Sequence, residues 1–235
     1  MPSLTEADVT DHLKHGKPLL AWDTLSLDWQ EVQALFGRVI TLLVENLSPA
    51  AEEIGNLNEL AADRVCLEGA VRAWFEHGTP SLEGKALDNE FKPLVAGAIQ
   101  ASLQPFLAVC SEKLLHLIDQ ELWYRGYCPV CGGEPDFAFL DRDRGARWLL
   151  CSRCDAQWLF YRIRCPFCDN QDPGSLAYFG DDKGLYRLHV CEQCHRYLKA
   201  IDLRHAEGEV LLPLERVLTL DMDVQACQMG YRAGG

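Results

Sequence analysis

Eight of the eleven cysteines in this 235-residue chain stand in four Cys-x-x-Cys pairs: Cys128/Cys131, Cys151/Cys154, Cys165/Cys168 and Cys191/Cys194. Two residues between cysteines let a tight turn aim both sulfurs at one point, and a tetrahedral metal needs two such turns facing each other. Pro129 and Pro166 fix φ inside two of the turns. Gly132 can take the positive φ that points backbone N–H groups at thiolate sulfur, and Asp169 holds the equivalent place in the third pair at greater steric cost. A redox dithiol usually sits alone at a helix N-terminus after a strand, which four tandem pairs do not resemble. The chemistry these residues point to is metal binding. A tetrahedral S₄ set suits Zn²⁺ or a single iron, and the CPxCG form resembles the knuckle of both zinc ribbons and rubredoxins. His189, His195 and His205 lie nearby, but four thiolates complete a site without them, so they read as surface or packing residues.

The elements that must position these sulfurs repeat. CPVCGGEPDFAFLDRDRGARWLLCSRCDAQWLFYRIR is followed by CPFCDNQDPGSLAYFGDDKGLYRLHVCEQCHRYLKAIDLR. Each copy opens with CPxC and runs through an aromatic-bearing strand (137–140 and 176–179). Each turns at acidic residues and a glycine (141–145 and 181–184), enters the second CxxC on another strand and leaves on an alternating one. The simplest assignment gives each copy its own Cys₄ site: Cys128, Cys131, Cys151 and Cys154, then Cys165, Cys168, Cys191 and Cys194. Ligation interleaved between the copies is the geometric rival, and it would leave the duplication unused. Trp148, Trp158, Phe160 and Tyr161 are the aromatics nearest the turns. They read as module filling, with partner anchors as the second option for the strand 157–164.

The N-terminal half reads as helix. Asp28 is placed to cap a helix carrying Val32, Leu35, Phe36, Val39, Ile40, Leu43 and Val44 at helical spacing. Ser48-Pro49 breaks it. One further helix is expected through Leu57, Leu60, Ala61, Val65, Leu67, Val71, Trp74 and Phe75, stopping at His77-Gly78. The loop GTPSLEG follows, then two helices over about 87–100 and 102–122 with Pro105 in the first turn of the second. Cys66 and Cys110 fall on apolar helix faces and read as buried small hydrophobes. After the breaker HAEGEV, the spacing of Leu214, Val217, Leu218 and Met222 predicts a short C-terminal helix.

The expected fold is therefore α+β. A helical domain over 1–124 precedes two β modules, 125–164 and 165–205, and a tail with a short helix over 206–235. Length allows about 70% of the unfolded surface to be buried. No basic n-region or apolar h-region opens the chain, and apolar runs such as 93–99 fall far short of roughly 18 residues. A soluble cytoplasmic protein without membrane insertion is the expectation, in a compartment where thiols stay reduced. Residues 1–124 hold 8 Lys and Arg against 19 Asp and Glu, whereas residues 125–204 hold 12 against 11. A nucleic-acid-binding zinc ribbon would present a basic face, so charge argues against it. No paired carboxylates, nucleophile–base pattern or phosphate loop points to catalysis.

The segment resembles the formate dehydrogenase accessory protein family, FdhE. The resemblance rests on CPVCG at 128–132, on Trp158 and Arg162 between the second and third pairs, and on Tyr197-Leu198-Lys199 after the fourth. The tail TLDMDVQACQMGY, ending in Gly230-Tyr231, adds to it. It is specific over about 128–200 and weaker to 231. It implies a helical N-terminal domain with two rubredoxin-like modules, iron as the metal with zinc compatible, and no catalysis. It also implies a cytoplasmic factor that binds the molybdenum- or tungsten-dependent catalytic subunit of a formate dehydrogenase and matures it; a homodimer is compatible. The residues alone leave an electron carrier of the rubredoxin type as the main alternative.

Overall fold

A computed structural model describes residues 5–47, 50–81 and 91–234. They form two compact units, one from residues 20–107 and the other from residues 5–19 with 108–234.

The first unit is helical. Helix α2 (Trp29–Leu47) starts where Asp28 predicts: the Asp28 carboxylate accepts the Gln30 and Glu31 N–H groups at 3.0 and 3.3 Å. It buries Val32, Phe36 and Ile40, one residue per turn of its apolar stripe. The break expected at Ser48-Pro49 lies outside the described residues. The single helix expected next is two, α3 (Ala51–Ala62) and α4 (Arg64–His77). Asp63 separates them in extended conformation and accepts the Val65 and Cys66 N–H groups, so it caps α4 as Asp28 caps α2. Val65, counted on the buried stripe, faces solvent in the first turn of α4. Leu67, Val71 and Trp74 are buried as expected, and α4 ends at Gly78.

The two helices expected around Pro105 are one. Helix α5 runs unbroken from Phe91 to Leu114 with Pro105 inside it; the stretch 87–90 lies outside the described residues. An interior proline costs about 3 kcal/mol. The helix fully buries Val95, Ile99, Leu103 and Leu107, each worth about 1.5–3 kcal/mol, and that burial outweighs the lost hydrogen bond. The segment Phe91–Leu117 is long and apolar enough to cross a membrane by length and composition. Its buried stripe is that of a core helix. Beyond Leu114 only short 3₁₀ turns follow, at Leu115–Leu117 and Gln120–Leu122.

The second unit is built on one sheet. Its strands are β1 (Pro135–Leu140), β2 (Arg147–Cys151), β3 (Gln157–Phe160), β4 (Leu176–Gly180), β5 (Tyr186–Cys191) and β6 (Arg196–Asp202). They lie in the order β3-β2-β1-β6-β5-β4. Each repeat supplies three antiparallel strands, and the repeats join where β1 and β6 pair in parallel, Phe137 opposite Lys199 through Leu140 opposite Asp202. The strand expected over 157–164 ends at Phe160 because the chain must turn there into the third cysteine pair.

One face of the sheet is covered by the tail, which forms two helices rather than one: α6 (Leu212–Leu218) and α7 (Leu220–Gln228). Leu212 packs with Phe137, Phe139, Leu150 and Ile201, and Ala226 with Leu188, Val190 and Tyr197. A last strand, β7 (Arg232–Ala233), pairs in parallel with the start of β6. Helix α1 (Glu6–His15), with its Thr5–Asp8 capping box, belongs to this unit. The Tyr127 hydroxyl donates to the Gly16 carbonyl at 2.8 Å, and the Leu19 N–H donates to the Pro129 carbonyl at 2.9 Å.

Candidate metal centres

All four cysteine pairs sit in turns between or before strands, and none opens an α-helix; only a 3₁₀ turn at Pro173–Ser175 stands between the third pair and β4. In the first turn the Cys128 N–H donates to the Gly133 carbonyl and the Gly132 N–H to the Cys128 carbonyl. That closes the loop and aims the Val130 and Cys131 N–H groups at the Cys128 Sγ, at 3.3 and 3.5 Å. The third turn repeats it: the Cys165 N–H reaches the Asn170 carbonyl and the Asp169 N–H the Cys165 carbonyl. The residue after each second cysteine has positive φ: Gly132 at 75°, Asp155 at 56°, Asp169 at 64° and His195 at 53°. Asp155 and His195 escape a composition-based reading because only glycine advertises that conformation; their position after the second cysteine is the signal that finds them. Asp169 is held there by a two-pronged pair with Arg164. His195 serves the backbone, its N–H on the Cys191 carbonyl and its own carbonyl accepting the Arg232 N–H.

The turns meet in twos, within the repeats. Cys128, Cys131, Cys151 and Cys154 bring their sulfurs within 4.8 Å of one another, and so do Cys165, Cys168, Cys191 and Cys194. The close approaches run between pairs: Cys128 to Cys154 at 3.6 Å and Cys131 to Cys151 at 3.5 Å. In the second cluster Cys165 meets Cys194 at 3.7 Å and Cys168 meets Cys191 at 3.6 Å. A disulfide would need about 2.05 Å. A tetrahedral ion with metal–sulfur bonds of about 2.3 Å spaces its ligands about 3.8 Å apart. The observed edges match the tetrahedron, so each cluster can hold one metal ion of the thiophilic kind.

The electrostatics ask for a cation. Burial pushes the Cys128 and Cys154 thiols well up, and burial likewise raises Cys165. Cys191 is brought down to about 7: desolvation works against its thiolate, but the Cys194 and Gln193 N–H groups and the Asn170 amide outweigh it. Asn170 donates to both the Cys191 Sγ (3.6 Å) and the Ser175 hydroxyl (2.6 Å), a support the sequence reading missed. The first cluster is wholly buried, whereas Cys168 and Cys194 of the second are half-buried.

The remaining candidates fall elsewhere. His189, His195 and His205 belong to neither cluster. Cys66 is not buried as expected: it is exposed in the first turn of α4, its thiol donating to the capping Asp63 carboxylate at 3.3 Å. Cys110 is half-buried. Trp158 and Phe160 are core, Trp148 packs against Phe139 at 6.1 Å between ring centres, and Tyr161 is exposed.

The Tyr197-Leu198-Lys199 run has a structural job. The Tyr197 hydroxyl donates to Asp223 of α7 at 2.8 Å, and the buried Lys199 ammonium reaches the same carboxylate at 2.6 Å. Lys199 also donates to the Arg216 and Thr219 carbonyls at 2.9 and 3.3 Å. Arg216 of α6 in turn pairs with Asp155 at 2.8 Å and donates to the Cys151 carbonyl at 3.0 Å. The tail helices are thus tied to the first cysteine cluster through its second turn.

Against known proteins, residues 127–162 match the family model described as "FdhE, central domain". The "Protein FdhE homolog" of Aquifex aeolicus (strain VF5) is 32% identical over 234 residues, which are 97% of this chain and 76% of that protein. The "Protein FdhE" of Escherichia coli O1:K1 / APEC is 25% identical over 96% of this chain and 72% of its own length. The crystal structure of the FdhE protein from Pseudomonas aeruginosa superposes with a TM-score of 0.60 at 25% identity, over 99% of this chain and 78% of the other. With a relative 32% identical over 97% of this chain and the Cys₄ architecture in agreement, this chain belongs to the FdhE family of formate dehydrogenase accessory proteins.

Proposed function

We propose that this protein is a non-catalytic maturation factor that binds the molybdenum- or tungsten-dependent catalytic subunit of a formate dehydrogenase and is required for its assembly into active enzyme. In this reading it works in the cytoplasm and carries one iron or zinc ion in each of the modules 125–164 and 165–205. Cys128, Cys131, Cys151 and Cys154 would hold one ion, and Cys165, Cys168, Cys191 and Cys194 the other. The observation that carries a protein partner is the outer face of α6 and α7. Leu214, Val217, Leu218, Leu220 and Val224 are each 49–61% exposed and form an apolar surface of the kind that partner binding covers. The metal would act on that surface through the fold, since Arg216 and Lys199 bind the helices to the strands and turns that the ions close.

Affinity capture from the native host tests the reading, with the formate dehydrogenase catalytic subunit as the expected retained protein. Deleting the gene is expected to abolish formate-dependent dye reduction, and a variant lacking both cysteine clusters to leave it unrestored. Dye reduction at the wild-type level in the deletion strain would sink the proposal. The half-buried Cys168 and Cys194 favour one second reading, electron exchange through a rubredoxin-type iron in the second module. A reversible one-electron couple on the purified protein, together with capture of a redox protein alone, would select it.

A further inference from the structure

On the sheet face turned away from α6 and α7, strands β1, β2, β4 and β5 and the segment after β3 enclose a cavity of about 430 Å³. Its polar lining is Arg147, Arg162 and Arg187 with His189, whose pKa burial and the arginines push down to about 3 and so keep it neutral, and its other walls include the apolar Ile163 and Leu176. Strand register explains why these groups converge. Arg147 stands opposite Leu140 on β1, and His189 opposite Tyr178 on β4, all on the same face.

Of the three guanidinium groups, one is neutralised. Arg187 pairs with the buried Asp202 at 2.5 Å and lies over the Tyr178 ring. Among the described residues no carboxylate pairs with Arg147 or Arg162. Arg147 is only 4% exposed; its Nη2 donates to the Arg164 carbonyl and its guanidinium stacks over Phe160, but its Nε has no hydrogen-bond partner. The His189 Nε2, also out of contact with solvent, has none either. A buried polar group left unpaired costs about 1–3 kcal/mol, and more when it is charged. Both residues line the cavity, beside the exposed Arg162, which no carboxylate among the described residues neutralises. The cysteine clusters do not use them.

We propose that this cavity binds a small phosphate monoester, its phosphate held by Arg147 and Arg162 with His189 as a further hydrogen-bonding group. Two uncompensated guanidiniums match the charge of about −1.5 to −2 on a phosphate monoester better than the single charge of a carboxylate. Arginine's planar fork suits phosphate oxygens. The volume lies within the roughly 300–1,000 Å³ of small-molecule sites, so an organic remainder has room against Ile163, Leu176 and Tyr178.

Calorimetric titration of the purified, metal-loaded full chain tests this with phenyl phosphate, inorganic phosphate and benzoate. One saturable site for phenyl phosphate is expected, with inorganic phosphate weaker and benzoate weaker still. Arg162→Glu is expected to lower phenyl phosphate affinity about tenfold or more while metal content stays unchanged, because Arg162 is exposed and outside the clusters. Arg144→Glu, the same charge change on an exposed arginine outside the cavity, is expected to leave affinity within twofold, or about 0.4 kcal/mol. Absence of saturable binding, equal loss in both variants, or benzoate binding as tightly as phenyl phosphate would each overturn the proposal. None of these measurements depends on a formate dehydrogenase, so the outcome is separable from the maturation role.

Discussion

A methyl group added at Gly126 would sit 1.8 Å from the Pro166 carbonyl oxygen, closer than any real contact and against backbone that cannot swing away. The approach joins the segment leading into the first cysteine turn to the proline of the third. Gly126→Ala is therefore expected to displace the Pro166 turn and lower metal occupancy at Cys165 and Cys168, read by elemental analysis. An unchanged two ions per chain would show that the turn can shift freely. Cys66→Ala and Cys110→Ala lie at the other extreme. Neither sulfur belongs to a cluster, and both variants are expected to keep the metal content of the parent protein. Cys66→Ala removes a thiol-to-carboxylate contact at 3.3 Å, while Asp63 keeps its two backbone donors as the cap of α4.

At the scale of elements, β6 holds the tail helices through a buried charge. Lys199 is buried between β6 and α7, and Asp223 is its only ionic partner among the described residues. Removing that carboxylate leaves a buried ammonium with two carbonyl acceptors but no opposite charge, and breaking a buried ion pair costs about 3–5 kcal/mol. Asp223 is itself 28% exposed, so Asp223→Ala is expected near the low end, about 3 kcal/mol in denaturant unfolding. A loss within about 0.5 kcal/mol, the range of ordinary surface changes, would mean that the Arg216 and Thr219 carbonyls suffice for Lys199. The same geometry accounts for a stretch whose sequence pattern alone had no physical explanation. Tyr197 and Lys199 grip α7, whereas Leu198 turns to the opposite face of the sheet.

Across the whole β unit, the parallel join of β1 and β6 couples two clusters whose ligand sets are separate. Cys128→Ser with Cys131→Ser is expected to remove one ion and leave the other, because no sulfur of the second cluster comes from the first repeat. The same variant is expected to melt at lower temperature than the parent, since small metal modules take much of their folding free energy from the ion. Loss of both ions, with the sheet still folded by circular dichroism, would point to shared ligation instead. Chelation of both ions should go further and unfold the sheet together with α6 and α7, which depend on it through Lys199 and Arg216.

The cysteine spacing, the duplication and the turn residues carried the two Cys₄ clusters in plain view, because bringing four sulfurs together is a local demand that each repeat meets with its own two turns. Asp28, Gly78 and the alternating strands were legible for the same reason: capping, helix ending and pleat are settled within a few residues. Pro105 misled because an interior proline breaks a helix only when burial on both sides is too small to offset it, and that balance is tertiary. Asp63, a helix cap hidden inside an apolar periodic run, was missed because a single cap weighs less than the period around it. The joining of the repeats into one sheet, the attachment of α1 beside the first turn and the convergence of Arg147, Arg162, Arg187 and His189 all bring together residues distant in the chain. Their partners are chosen by packing, and no local pattern encodes that choice.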